Sequence, residues 1–241
     1  MIDILLLARR SHHSMVSYGP GALIFGGHLS NSVEYLYNGT SVTLRGRVPR
    51  LDSSCAVLSD QDTVIITGGV TAPAQAWEFS LTSGDWSRLP DVPTGGRYRH
   101  SCAYVTRDGL RGALIAGGSD GRQLRAETFY YRSVRSIDSL SLILFMLCCS
   151  VETQTWSQLH DLPGVRWGAR MANMDGDTLI IGGGNGRDFV SEVHRFNFHT
   201  LSWNLVKPRL MYPRADFGLV VLQSGCKNVM EGGRKEAQAR P

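Results

Sequence analysis

The chain has no Cys-x-x-Cys pair and no His-Glu-x-x-His, which removes the common zinc frameworks, and the adjacent Cys148-Cys149 cannot easily share one metal. No nucleophile elbow or phosphate-cradling loop surrounds its seven histidines, and Gly182-Gly183-Gly184-Asn185-Gly186 lacks the Lys-Ser/Thr and following helix of a phosphate loop. Long hydrophobic runs are also missing. The apolar stretch within Ser139 to Cys149 is far shorter than the roughly 20 residues of a membrane span, and Met1 to Leu7 is too short and carries Asp3, against a secretory signal. The formal charge is only +4, with basic residues scattered or gathered in the tail, so there is no concentrated basic face for nucleic acid. No helical period runs over any useful length.

Glycine, by contrast, is abundant, at 27 residues against 9 prolines, and its placement is periodic. A diglycine closes a short apolar strand four times: at Gly26-Gly27, Gly68-Gly69, Gly117-Gly118 and Gly182-Gly183. An arginine stands 16 to 20 positions ahead of each (Arg10, Arg50, Arg97, Arg166), and a glutamate 8 to 10 positions after (Glu34, Glu78, Glu127, Glu192). Trp86 and Trp203 fall about 20 residues past the glycines, as does Trp156 once a surplus segment is set aside. Such recurrence marks a repeat architecture with units of roughly 45 to 50 residues. The units run over about 8–49, 50–94, 95–163, 164–207 and a partial 208–233, followed by a polar tail, 234–241.

Within the first unit, His13 to Tyr18, Ala22 to Phe25, Ser32 to Tyr37 and Ser41 to Arg45 read as four antiparallel strands, with Asn38-Gly39 as a hairpin turn. The runs Leu23 to Phe25, Val64 to Ile66, Ala113 to Ile115 and Leu179 to Ile181 suit strands buried on both faces. In the first unit Val42 takes the tryptophan's place, which predicts a less well filled interface. Cys55 and Cys102 both lie five residues after the marker arginine. Equivalent places in neighbouring units indicate the same buried strand site in a reducing compartment, not a bond.

On Arg97-Tyr98-Arg99-His100 through Gly117-Gly118 and Glu127 to Trp156, the pattern resembles the kelch repeat. The resemblance implies an all-β fold, a kelch-type β-propeller of four-stranded antiparallel blades, with about four and a half blades present. It implies structural roles for the diglycines, for an Arg–Glu pairing within blades and for tryptophans packed between blades. The interval from Gly117 to Gly182 is 65 residues, against 42 and 49 before it. Removing 132–150 restores the spacing, so that segment reads as a non-repeat insertion, with a translated intron favoured over a docking loop. Met1 to Leu7 is a candidate closing strand, while Arg214 to Leu222 opens a fifth unit that Met230-Glu231-Gly232-Gly233 imitates in its diglycine.

The function expected from this resemblance is a non-enzymatic, cytoplasmic module that binds a protein or peptide partner on its loop rim, without cofactor, metal, nucleic acid or membrane. Kelch substrate receptors of cullin-type ubiquitin ligases hold often acidic peptides in this way, so Arg10, Arg50, Arg99, His100, Arg170, Asn185 and Arg187 are the candidate contacts. Actin-binding and extracellular kelch scaffolds are alternatives, as are galactose-oxidase-like and sugar-isomerising enzymes. For the oxidase no Tyr-His pair matches the copper motif.

Overall fold

The structure, a computed structural model, describes residues 7, 9–47, 55–59, 62–71, 73–108, 110–132, 155–207, 209–219, 221 and 234–235, without the side chains of 45–47 and 234–235. Among them the chain forms four four-stranded antiparallel sheets and one two-stranded pair, with no helix. Blade 1 holds β1 (Ser14–Tyr18), β2 (Gly21–Phe25), β3 (Ser32–Tyr37) and β4 (Thr40–Arg47); blade 2 holds β5 (Cys55–Leu58), β6 (Thr63–Thr67), β7 (Ala76–Ser80) and β8 (Trp86–Leu89). Blade 3 holds β9 (Ser101–Arg107), β10 (Leu110–Ala116), β11 (Thr128–Arg132) and β12 (Trp156–Gln158); blade 4 holds β13 (Arg170–Met174), β14 (Asp177–Ile181), β15 (Val193–Asn197) and β16 (Ser202–Val206). Each blade is a meander in sequence order, which hairpin turns alone can build. Asn38 and Gly39, with φ of 47° and 76°, make the one between β3 and β4.

The apolar cores lie between blades, because each sheet presents both faces to its neighbours. Val16, Leu23 and Phe25 of blade 1 pack with Val64, Ile66 and Phe79 of blade 2. Val57 and Ile65 of blade 2 meet Tyr104 and Phe129 of blade 3, while Leu114 and Tyr130 of blade 3 meet Ile180, Phe196 and Trp203 of blade 4. The tryptophans reach backwards across these seams. Trp156 Nε1 donates to Pro90 O of blade 2 at 2.9 Å, Trp203 Nε1 donates to Thr128 Oγ1 of blade 3 at 2.9 Å, and the Trp86 ring lies 6.2 Å from that of Phe25 in blade 1. Trp86 therefore fills the seam between blades 1 and 2. By the same backward reach, the seam that Val42 would serve is on the side of blade 1 away from blade 2, and Val42 is 56% exposed.

The diglycine is a clasp between successive units. The Gly69, Gly118 and Gly183 amides donate to the carbonyls of Arg97, Arg166 and Arg214 at 3.0, 2.7 and 2.8 Å. Those carbonyls stand so close that a Cβ on Gly68, Gly117 or Gly182 would sit 2.1, 2.3 or 2.8 Å from the same oxygens. No side chain fits that approach. The marker arginine works inside its own blade: Arg10, Arg97 and Arg166 donate through Nη1 to the carbonyls of Gly26, Gly117 and Gly182 at 3.0, 2.9 and 3.4 Å. Their counter-ions are Glu34, Glu127 (4.0 Å) and Glu192 (2.7 Å).

Two readings of the sequence are corrected here. Cys55 and Cys102 form a disulfide, with a Cα–Cα separation of 6.1 Å. Around a propeller axis, equivalent positions on neighbouring inner strands are side by side, so shared register brings two cysteines within bonding reach. Arg234–Lys235, read as the start of the polar tail, is a short strand, β18, paired with β17 (Arg214–Ala215). Phe217, beyond β17, packs on Leu179, Ile181 and Val193 of blade 4, so part of a fifth unit covers that face. β11 and β12 remain hairpin neighbours, Tyr131 opposite Trp156, and nearly all of the 132–150 insertion falls outside the described residues. So do the N-terminal closing strand, save Leu7, and the diglycine at 232–233.

Candidate functional site

The first strands β1, β5, β9 and β13 are each the innermost of their blade and contact one another in turn. A cavity of about 700 Å³ opens among their N-terminal ends, walled by Ser14, Cys55, Cys102, Arg170 and the Asp216–Leu219 segment of the fifth unit. Because the first strand of every unit contributes, this cavity lies on the propeller axis.

Its mouth is built by one position of the repeat. His12, Arg99, Gly168 and Asp216 each stand two residues after the marker arginine or its equivalent, and all have positive φ, at 55°, 53°, 63° and 52°. Three of the four are not glycine, and left-handed backbone on such residues clusters at functional sites. Backbone bonds link the position across blades: the Gly168 amide donates to Arg99 O at 2.9 Å and the Asp216 amide to Gly168 O at 2.8 Å.

Among the described residues, the mouth carries charges of both signs. Arg99 is 28% exposed, lies 3.7 Å from Asp216 Oδ2 and stacks at 5.4 Å over the Trp167 ring. Arg170 Nε donates to Phe217 O at 2.8 Å and Nη1 to Ala169 O at 3.2 Å. Burial lowers the Arg170 pKa, and the Asp216 carboxylate opposes that shift. A guanidinium stays charged under such a shift. Among the described residues, one carboxylate thus faces two cations. Beside them His100 is only 3% exposed, and its Nε2 shares a 2.7 Å hydrogen bond with Thr67 Oγ1. Burial pushes its pKa down to about 3, with the nearby Arg97 charge acting in the same direction, so it is neutral near pH 7.

Of the candidate contacts, Arg99, His100 and Arg170 come together at this cavity, His100 with its ring turned into the blade seam. Arg10 does not: its side chain is wholly enclosed by Gly26, Ser32 and Glu34. Arg50 lies outside the described residues. Asn185 and Arg187 are exposed on the β14–β15 loop, where Asn185 Oδ1 accepts the amides of Arg187 and Asp188 at 2.9 and 2.8 Å. That loop and the matching turn at Asp120, which accepts the Arg122 and Gln123 amides at 2.8 and 2.7 Å, are Asx-type turns rather than phosphate cradles.

Sequence reasoning missed Asp216, Trp167, His12 and the disulfide. The signal for His12 and Asp216 was their register with Arg99. It also passed over Gly117-Gly118-Ser119-Asp120-Gly121, which has the spacing of a nucleophile elbow. No helix follows it, and Ser119 Oγ donates to Gln123 O at 3.1 Å within the turn, so this is not that motif. No group of three or more His, Cys, Asp or Glu side chains among the described residues is placed to hold a metal, and no helix among them is long and apolar enough to cross a membrane.

The KLHDC2/KLHL20/DRC7 Kelch-repeats domain family model matches residues 12–233. The chain belongs to the kelch-repeat family. It is 23% identical over 248 residues to the Kelch domain-containing protein 10 of Bos taurus and of Homo sapiens, covering 91% of this chain and 51% of each relative. An F-box/kelch-repeat protein of Arabidopsis thaliana is 26% identical over 49% of this kelch chain and 26% of its own length. The chain therefore spans about half the length, or less, of the curated relatives it matches. The solved structure of YjhT superposes with a TM-score of 0.71 at 11% identity, over 95% of this chain and 78% of that one; this likeness shows the fold, and the four blades form an incomplete propeller.

Proposed function

We propose that this kelch propeller is a non-catalytic interaction module whose axial cavity receives an acidic side chain of a protein or peptide partner between Arg99 and Arg170. The observation that carries the reading is the pair of guanidinium groups at the cavity, with Asp216 the carboxylate beside them among the described residues. Bidentate guanidinium contact suits a carboxylate ligand, and the loop rim offers Arg187 and the Asn185 turn as further polar contacts. Serving as a substrate receptor of a cullin-type ubiquitin ligase in the cytoplasm is the wider role we infer. Its support is the kelch resemblance and a relative whose name joins an F-box to kelch repeats.

The test is titration of the purified chain with glutamate-containing probe peptides and their glutamine counterparts. Arg99→Ala or Arg170→Ala should weaken binding of the acidic probes about 10- to 100-fold, the loss expected for one charge-assisted contact, while Lys207→Ala leaves it unchanged. Equal losses for all three variants, or equal affinity for glutamate and glutamine probes, would overturn the reading.

A further inference from the structure

The axial cavity contains a chemical group that peptide binding does not use. Cys55 begins β5 and Cys102 is the second residue of β9, so their bond ties the innermost strands of blades 2 and 3 at the end where the cavity opens. It closes a loop spanning 47 residues. Cys55 pairs in register with Thr67, and Thr67 is the residue that crosses to His100 of blade 3 at 2.7 Å. The clasp from Gly69 to Arg97 crosses the same seam at 3.0 Å. Three ties therefore converge on one end of one seam, and only the disulfide can be made and broken by solution chemistry. Both cysteines line the cavity. Cys55 is half-buried whereas Cys102 is buried, so a small thiol entering the cavity meets Cys55 first.

We infer that Cys55–Cys102 is a reversible thiol–disulfide site that sets the rigidity of the cavity wall between blades 2 and 3, whatever the cavity binds. The co-reactant is a small-molecule thiol and its disulfide, of the glutathione class. In the reducing direction a thiolate attacks Cys55 Sγ, the protein S–S bond breaks, and the electron pair leaves on Cys102 Sγ, which takes up a proton. A second thiolate attacks the small-molecule sulfur of the mixed disulfide. The low-molecular-weight disulfide departs and Cys55 Sγ takes the other proton. The sum is one protein disulfide plus two thiols giving two protein thiols and one small disulfide, and the oxidising direction is its reverse.

With the bond open, blades 2 and 3 remain joined at this end by the Thr67–His100 bond and the glycine clasp, which start from the end of β6 and not from β5. β5 is only four residues long and keeps its ladder to β6, so local opening is expected to begin at its Cys55 end, where the tie to β9 is lost.

The full chain should be equilibrated in glutathione buffers of graded ratio, quenched, alkylated and mapped by peptide mass. The Cys55 and Cys102 peptides are expected to pass together from unlabelled to doubly labelled in one transition within the glutathione range. In parallel, amide exchange in β5 and β9 should be at least about tenfold faster in the reduced chain while β14 and β15 are unchanged, and Cys102→Ser should show the faster exchange at every ratio. Labelling of both cysteines under the most oxidising buffer would mean that the bond does not form. Protection of both under the most reducing one would make it a constitutive staple. Either result, or equal exchange rates in the two states, overturns the inference.

Discussion

Replacing Gly117 by alanine tests the clasp between blades most directly. The new Cβ would lie 2.3 Å from Arg166 O, a backbone atom that no rotamer change can move aside. Gly117 also sits at φ +71°, where an L-residue costs roughly 1–2 kcal/mol. Relieving the clash requires Arg166 to withdraw, which lengthens the 2.7 Å bond from the Gly118 amide and disturbs packing between blades 3 and 4. A lost hydrogen bond contributes about 1 kcal/mol and overpacking strain about 1–3 kcal/mol, so the expected cost is roughly 3–6 kcal/mol.

Two other glycines separate the contributions. Gly95 has φ +82° with nothing within 4 Å of its Cβ position, so Gly95→Ala isolates the backbone cost, about 1 kcal/mol. Gly164 has open space and no positive φ, so Gly164→Ala is neutral or slightly stabilising. Thermal unfolding followed by far-UV circular dichroism should show a fall in Tm on the order of 10 °C for Gly117→Ala, 2–4 °C for Gly95→Ala and none for Gly164→Ala. If Gly117→Ala costs no more than Gly95→Ala, the close approach of Arg166 O does not hold the blades together and the reasoning fails.

Arg97, fully buried, donates to Gly117 O and Glu127 O, both at 2.9 Å. Arg97→Met should cost roughly 3–5 kcal/mol in urea unfolding, and a cost under about 1 kcal/mol would refute its role as the blade's internal tie. His100, held neutral down to about pH 3, binds its proton less readily folded than unfolded, where its pKa is 6.5. Stability therefore falls as pH drops from 6.5 towards 3, by about 2 kcal/mol at pH 5; His100→Gln should flatten that slope, and an unchanged slope would contradict the assignment. Trp203→Phe strands the buried Thr128 hydroxyl at a cost of about 1–3 kcal/mol. Adding Thr128→Val should recover part of it, and strict additivity in the double-mutant cycle would mean the 2.9 Å bond contributes nothing.

The scaffold was legible because the repeat states the same physical requirement four times. Leu23 to Phe25, Val64 to Ile66, Ala113 to Ile115 and Leu179 to Ile181 are all buried as their apolar character requires, and Asn38-Gly39 makes the hairpin its composition demands. The site was legible only in part. Arg99 and Arg170 could be named from position and type, but Arg10 carries the same charge and is used up inside blade 1, a distinction that depends on which side of the strand the chain turns. The disulfide was invisible for a related reason. Sequence spacing shows that Cys55 and Cys102 are equivalent, whereas their 6.1 Å separation follows from the convergence of inner strands on the axis.

That convergence also explains how scaffold and site share one short motif without competing. The marker arginine turns into its own blade and ties the diglycine carbonyl, so its identity is dictated by the fold. Two residues later the chain passes through the left-handed region, and the backbone, through bonds such as Gly168 N to Arg99 O, holds that position against its counterpart in the next unit. Those bonds involve main-chain atoms only, and the side chain at this place differs from unit to unit: His12, Arg99, none at Gly168, Asp216. The crown of the axis can therefore change its charge without altering how the blades are held. A charge-reversing Asp216→Lys should act on anionic ligands far more than on unfolding free energy, in contrast to any substitution at Arg97.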